Sequence, residues 1–209
     1  TGRAALDVSI KGVLFLAAFF SIIALFFIVI FLFTSATDLL DQYSIWEILF
    51  EDNWKPTYDP PIGGFGAKSL IVGTILVAIG AMVFAIPVGI GSAIFVSQLA
   101  PHWIKDYLKT GIEILSGVPS VVYGLFGLIV MVRWIKVGFD QPSGEGWLAA
   151  SLLLGIMALP TIISVSEDAM SAVAREQKEA SLALGATKWQ TISQVIVPGS
   201  ISGITAAVI

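Results

Sequence analysis

Cysteine is absent from all 209 residues, so the chain can form no disulfide and offers no thiolate nucleophile or cysteine metal site. Histidine occurs once, as His102, which excludes a multi-histidine metal cluster. Charge is scarce: 12% of residues are charged, against roughly 25% in an ordinary soluble domain. The net charge of −4 leaves no basic surplus for a nucleic-acid backbone. No Gly-x-x-x-x-Gly-Lys-Ser/Thr stretch occurs, so no Walker-type loop is present to cradle nucleotide phosphates. What the chain has instead is apolar surface: 56% of its residues are hydrophobic, with a mean hydropathy of +0.91. Long apolar runs between charged clusters place it with integral membrane proteins.

Windows nearly free of charge define the spans. They lie near 13–34, 69–97, 111–132 (with Glu113 as its one charge) and 148–166, and a fifth starts at 199. Lipid admits helices or closed barrels alone, and these windows are too long and too unalternating for barrel strands. The expected fold is therefore all-α, a multi-helix membrane bundle forming one transmembrane domain over 1–209. No charge follows Lys188, and the closing "GSISGITAAVI" is shorter than the roughly 20 residues of a transmembrane helix, so the chain reads as incomplete at its C-terminus. The N-terminal run is not a cleaved signal peptide, because its apolar core exceeds the roughly 7–15 residues of such a segment.

Basic residues set the expected orientation. Arg3, Lys11, Lys105, Lys109, Arg175, Lys178 and Lys188 gather on one side, against Lys55, Lys68, Arg133 and Lys136 on the other. That bias puts the N-terminus and the 167–198 segment in the cytoplasm and makes 35–68 an external loop. This loop is acidic and aromatic, and "KPTYDPPIGGFG" punctuates it with turns. Pro87, Pro119 and Pro160 fall inside the expected spans. Each removes a helix hydrogen bond and kinks its helix, either beside a cavity or simply because proline is common in membrane helices. Gly73 with Gly80, and Gly117 with Gly124, are spaced for close helix approach.

The stretch "EASLALGATKWQTISQVIVP" at 179–198 breaks this apolar pattern. Ahead of it and through it, Met170, Val173, Ala174, Ala180, Ala183 and Leu184 recur at helical spacing. Gly185 is placed to end that helix in the left-handed conformation. Thr187 followed by Gln190 is a capping-box pattern that starts a second helix, with Trp189, Ile192 and Ile196 along one face. Pro198 marks the bend back into the membrane. Three readings compete: an amphipathic connector lying on the bilayer, a DNA-binding helix-turn-helix, and a knob that docks a soluble partner. Glu167, Asp168, Glu176 and Glu179 nearly cancel Arg175, Lys178 and Lys188, which argues against the DNA reading.

Glu179, Ala180, Gly185, Val195, Val197 and Pro198 resemble the EAA motif of ABC importer permeases at every spacing, with Ser181 in place of the second Ala and Val in place of Ile and Leu. "GTILVAIGAMVFAIPVGIGSAIFVSQLAP", "EILSGVPSVVYGLFGL" and "ALPTIISVSEDAM" look like phosphate-uptake permeases of the Pst type. The external loop with "NWKPTYDP" and "FGAKSLIVGT" looks more like the PstC subunit than PstA. The resemblance runs from about residue 13 onward and implies the type I ABC importer permease fold in a prokaryotic inner membrane.

It further implies that Glu179, Ala180, Ser181, Gly185, Ala186, Trp189 and Pro198 dock a cytoplasmic ATPase. The implied partners are a PstA-type permease, a PstB-type ATPase dimer and an external PstS-type phosphate-binding protein. ATP and magnesium would sit on the ATPase, leaving this chain without catalysis or cofactor. No Lys or Arg falls in a complete expected span. Ser116, Ser120 and Tyr123 share a face with Glu113 at spacings of three and four, and form a candidate phosphate pathway; the plainer reading is that these hydroxyls bond preceding carbonyls. Glu113 is expected to pair with Lys109, four residues earlier. The rival functions are an importer of another oxyanion and a non-transport membrane scaffold or sensor.

Overall fold

The computed structural model describes residues 2–41, 43–55, 64–140 and 142–209, which fall into two units, Thr1–Ile71 and Val72–Ile209. In the first unit, α1 (Gly2–Leu40) carries the most apolar run of the chain: an 18-residue stretch within Ile10–Thr37 has a mean hydropathy of 3.1 and is nowhere buried by protein. A side-chain surface so apolar and so exposed fits lipid, not water. Hydroxyls within α1 bond back to the helix: Ser21 Oγ donates to the Ala17 carbonyl at 2.9 Å, and Thr34 Oγ1 donates to Ile30 at 3.0 Å. Such back-bonding satisfies these donors without water.

The 35–68 segment is more structured than a plain loop. After α1 come α2 (Ile45–Phe50) and a two-stranded antiparallel hairpin, β1 (Trp54–Lys55) with β2 (Gly64–Phe65). The Ser44 N–H donates to Glu47 Oε2 at 2.9 Å, which seats the start of α2. Phe65 packs edge-on against both Tyr43 and Trp54, and Lys68 pairs with Asp52 at 3.1 Å. The turns expected at 56–63 lie outside the described residues.

The second unit is a helical bundle. Its elements are α3 (Lys68–Leu99) from Val72 onward, α4 (His102–Ser116), α5 (Ser120–Gly138), α6 (Trp147–Ser171), α7 (Arg175–Ala183), α8 (Lys188–Gly199) and α9 (Ile201–Val208). Single π-helical turns end α3 at Phe95–Leu99 and interrupt α5 at Gly127–Met131 and α8 at Ile192–Ile196. Among the described residues four helices are long and apolar enough to cross a membrane, and a fifth span arises if α8 and α9, bent by 67°, count as one. That bend falls at Ser200, two residues beyond Pro198.

The helix α6 lies at the centre. Ala93 of α3, Ile163 and Met170 of α6, Ile192 and Ile196 of α8, and Ile204 of α9 form one buried cluster. Small residues set the helix spacing, as expected without a hydrophobic drive between helices in lipid. A Cβ on Gly80 would stand 2.5 Å from Ser151 Oγ, one on Gly89 2.6 Å from Ile162, and one on Gly155 2.8 Å from Phe84. These hold α3 against α6. The glycines expected to pair do so only in part: Gly80 is at a contact, whereas Gly73 and Gly124 face open space and Gly117 meets its own turn.

The window at 111–132 is not one helix. It contains the end of α4 and the start of α5, separated at Gly117–Pro119. Proline disfavours the helical conformation at the residue before it, here Val118, and its own ring cannot continue a hydrogen-bond ladder. Pro119 is accordingly extended, with ψ 138°, whereas Pro87 and Pro160 sit inside continuous helices. The helix long and apolar enough to cross a membrane therefore runs over 120–138, with Arg133 and Lys136 near its end.

Candidate docking site

The polar break after α6 folds as two short helices around a tight turn. The chain leaves α6 through Ala172–Ala174, with the Ala172 N–H on the Asp168 carbonyl at 3.0 Å. Met170 therefore belongs to α6 and is fully buried, while Ala180 and Ala183 lie on α7 and are exposed. The single helix face drawn through Met170, Ala180 and Leu184 does not exist, because this turn rotates the second set away from the first.

At its other end α7 closes with both hydrogen bonds of a Schellman motif. The Gly185 N–H donates to Leu182 at 3.0 Å and the Ala186 N–H to Ser181 at 3.2 Å, and Gly185 takes φ +85°. Glycine adopts that left-handed conformation without the Cβ–carbonyl clash other residues meet. The next helix starts immediately. Gln190 N–H donates to Thr187 Oγ1 at 3.2 Å, and Thr187 N–H donates to Gln190 Oε1 at 2.8 Å, a complete capping box.

Side chains then join the two helices. Ser181 Oγ lies 3.0 Å from Thr191 Oγ1, which itself donates to the Thr187 carbonyl at 3.1 Å. Arg175 Nε donates to Glu179 Oε1 at 2.8 Å along the exposed face of α7. Below the turn, Ile192 and Ile196 anchor α8 in the core at 5% and 2% exposure. Trp189, expected on that same face, is instead 64% exposed. Ala186 is half-buried and Pro198 exposed.

The result is a rigid protrusion with an apolar tip. Leu184 is 90% exposed, and Leu182 and Trp189, on the two sides of the Gly185 turn, are exposed as well. Leu184 and Leu182 were not singled out from the sequence as site residues. The signal was available: a leucine at the C-cap, beside a left-handed glycine, has left the helix face that could bury it.

The candidate pathway residues fall on either side of the α4–α5 break. Ser116 ends α4, three residues after Glu113 on the same helix, whereas Ser120 begins α5, so the break takes Ser120 and Tyr123 off that face. Tyr123 reaches back across the break, donating from its hydroxyl to the Leu115 carbonyl at 2.9 Å. Lys109 does not pair with Glu113. It bonds Glu167 Oε2 at 3.0 Å and Asp168 Oδ1 at 3.3 Å, and these hydrogen bonds hold its ammonium above the ordinary lysine range.

A Bacillus subtilis protein described as a probable ABC transporter permease, YqgH, is 42% identical over 82% of this chain and 55% of its own length. The phosphate transport system permease protein PstC of Haemophilus influenzae is 34% identical over 88% of this chain and 66% of its own. The chain thus spans between about half and two thirds of these relatives. Among solved structures, an inward-facing methionine ABC transporter, MetNI, superposes with a TM-score of 0.51 at 23% identity, over 68% of this chain and 64% of that one. That likeness is one of fold, the type I ABC importer permease bundle. Residues 85–209, which hold the α4–α5 break, α6 and the whole protrusion, match the family model for the inner membrane component of binding-protein-dependent transport systems, and the chain belongs to that family.

Proposed function

We propose that this chain is the PstC-type permease subunit of an ATP-driven phosphate importer, and that the Leu182–Trp189 tip docks its ATPase. The observation that carries the docking is the apolar tip itself: a doubly capped turn, exposed directly after a membrane-length helix, in a permease-family chain. An apolar knob of this size on a water-facing loop is costly unless a groove receives it. Rigid caps on both sides suit it to transmit displacement. Glu179, Ala180, Ser181, Gly185, Ala186, Trp189 and Pro198 are the residues assigned to the element, with Gly185 and Ser181 shaping it and Trp189 making contact.

Phosphate as cargo is supported by the relatives described as PstC phosphate permeases. The Lys/Arg bias supports a cytoplasmic N-terminus and a cytoplasmic 167–198 segment in the inner membrane. A PstA-type permease, two PstB-type ATPases carrying ATP and magnesium, and a PstS-type binding protein complete the assembly. Ser116, Ser120 and Tyr123 would line the path at the α4–α5 break, where the interrupted helix exposes backbone and hydroxyl groups able to replace water around an oxyanion.

The test is uptake by proteoliposomes containing the complete complex. ATP-dependent accumulation of phosphate, with sulfate failing to compete, is the expected result. Uptake of sulfate in preference would replace phosphate with another oxyanion, uptake without ATP would remove the ATP-driven reading, and no uptake by the assembled complex would remove the transport reading.

A further inference from the structure

Among the described residues one carboxylate is buried, and it ties together elements far apart in the chain. Glu167, in the last turns of α6, is 3% exposed. Lys105 Nζ lies 2.9 Å from its Oε1, Lys109 Nζ lies 3.0 Å from its Oε2, and Ser171 Oγ donates to Oε1 at 3.0 Å. Lys105 and Lys109 are one helical turn apart on α4, so they face the same way, toward α6. On that same side Ile112 packs against the core cluster.

A buried ion pair is a poor device for stability, since desolvation offsets most of the Coulomb attraction. Apolar residues would hold α4 to α6 equally well. What two lysines on the two oxygens of one carboxylate add is register: α4 can neither slide nor rotate on α6 without stranding a charge. This register matters because of what lies at each end. Beyond Asp168 the chain passes through the Ala172–Ala174 turn into α7 and the apolar tip. At the other end α4 stops at Gly117, and the Tyr123 hydroxyl on the Leu115 carbonyl links it to α5.

We propose that Glu167 is a positioning residue for coupling: by clamping Lys105 and Lys109 it makes α4 travel with α6 and α7, so that displacement of the docking tip reaches the α4–α5 break. This rests on the reading of the tip as the ATPase dock. Glu167 touches neither nucleotide nor cargo; it acts through α4.

The complete transporter in proteoliposomes provides the test. Glu167→Gln keeps the shape and removes the charge; ATPase binding and hydrolysis are expected to persist, while phosphate moved per ATP falls roughly tenfold. Glu167→Asp should recover most of that ratio, which a purely space-filling role would not require. An assembled Glu167→Gln complex with an unchanged ratio overturns the proposal. A second measurement stands even where that variant fails to assemble. Spin labels at Tyr107→Cys on α4 and Gln177→Cys on α7, both exposed positions, should keep one separation with and without ATP. A change approaching one helical turn, ~5 Å, overturns the clamp. The docking reading is checked separately by Leu184→Asp: if the ATPase stays bound and coupled, the dock is wrong, whereas lost binding there with intact coupling in Glu167→Gln removes the clamp alone.

Discussion

The Ser181 hydroxyl lies 3.0 Å from that of Thr191, joining the last turn of α7 to the first turns of α8. Thr191 gives its own proton to the Thr187 carbonyl, so Ser181 is the donor in this pair. The protrusion is thus closed twice, by the backbone at Gly185 and by side chains at its base. Ser181→Ala should cost about 1 kcal/mol and leave docking intact, because alanine fits the same small site. In a thermal-melt double-mutant cycle with Thr191→Val, a coupling near 1 kcal/mol is expected; simple additivity would show that the hydroxyls do not interact.

Gly185→Ala isolates a backbone effect. A Cβ there meets nothing within 4 Å, so sterics with neighbours contribute nothing and the cost comes from φ +85°. That cost is about 1–2 kcal/mol for alanine and less for asparagine. Hydrogen exchange at the Gly185 and Ala186 amides should quicken by roughly tenfold or more in the alanine variant. Unaltered protection would mean the Schellman bonds do not hold the turn.

Leu184→Asp and Trp189→Ala should separate stability from binding. Both side chains are largely exposed, so melting of the isolated permease should move by no more than about 0.5 kcal/mol. Affinity for the ATPase should fall by roughly 30-fold, as for a contact worth about 2 kcal/mol at an interface centre. Surface plasmon resonance with immobilised permease reads this directly, and unchanged affinity would take the tip out of the interface.

Two glycines of one composition class should behave oppositely. Gly80→Ala drives a Cβ to 2.5 Å from Ser151 Oγ and 2.9 Å from Ser151 Cβ, an overpacking expected to cost about 1–3 kcal/mol. Gly124→Ala faces open space and should be neutral or stabilising by up to about 1 kcal/mol through helix propensity. Melting temperatures of the two variants test this, and equal losses would contradict the α3–α6 contact.

Much of this molecule was legible as a string. The membrane class followed from apolar windows, since a bilayer demands a run of about 20 such residues whatever their partners. The turn at Gly185 was legible because its Schellman bonds and its capping box each close within a few residues of one another, so spacing alone specifies them.

Other features waited on the tertiary structure. Lys109 had Glu113 within reach on its own helix, yet it pairs with Glu167 and Asp168, 58 and 59 residues away, because α4 turns that face to α6. The hydropathy window at 111–132 ran through Pro119 without a mark, since apolarity does not distinguish one helix from two. Gly80 touches a neighbour and Gly73 does not, and nothing in their spacing separates them. In hydrocarbon the lipid-facing and helix-facing sides of a span are equally apolar, so sequence fixes which segments enter the membrane and short-range caps fix where they turn. Which faces meet, and which charge finds which partner, is decided by packing alone.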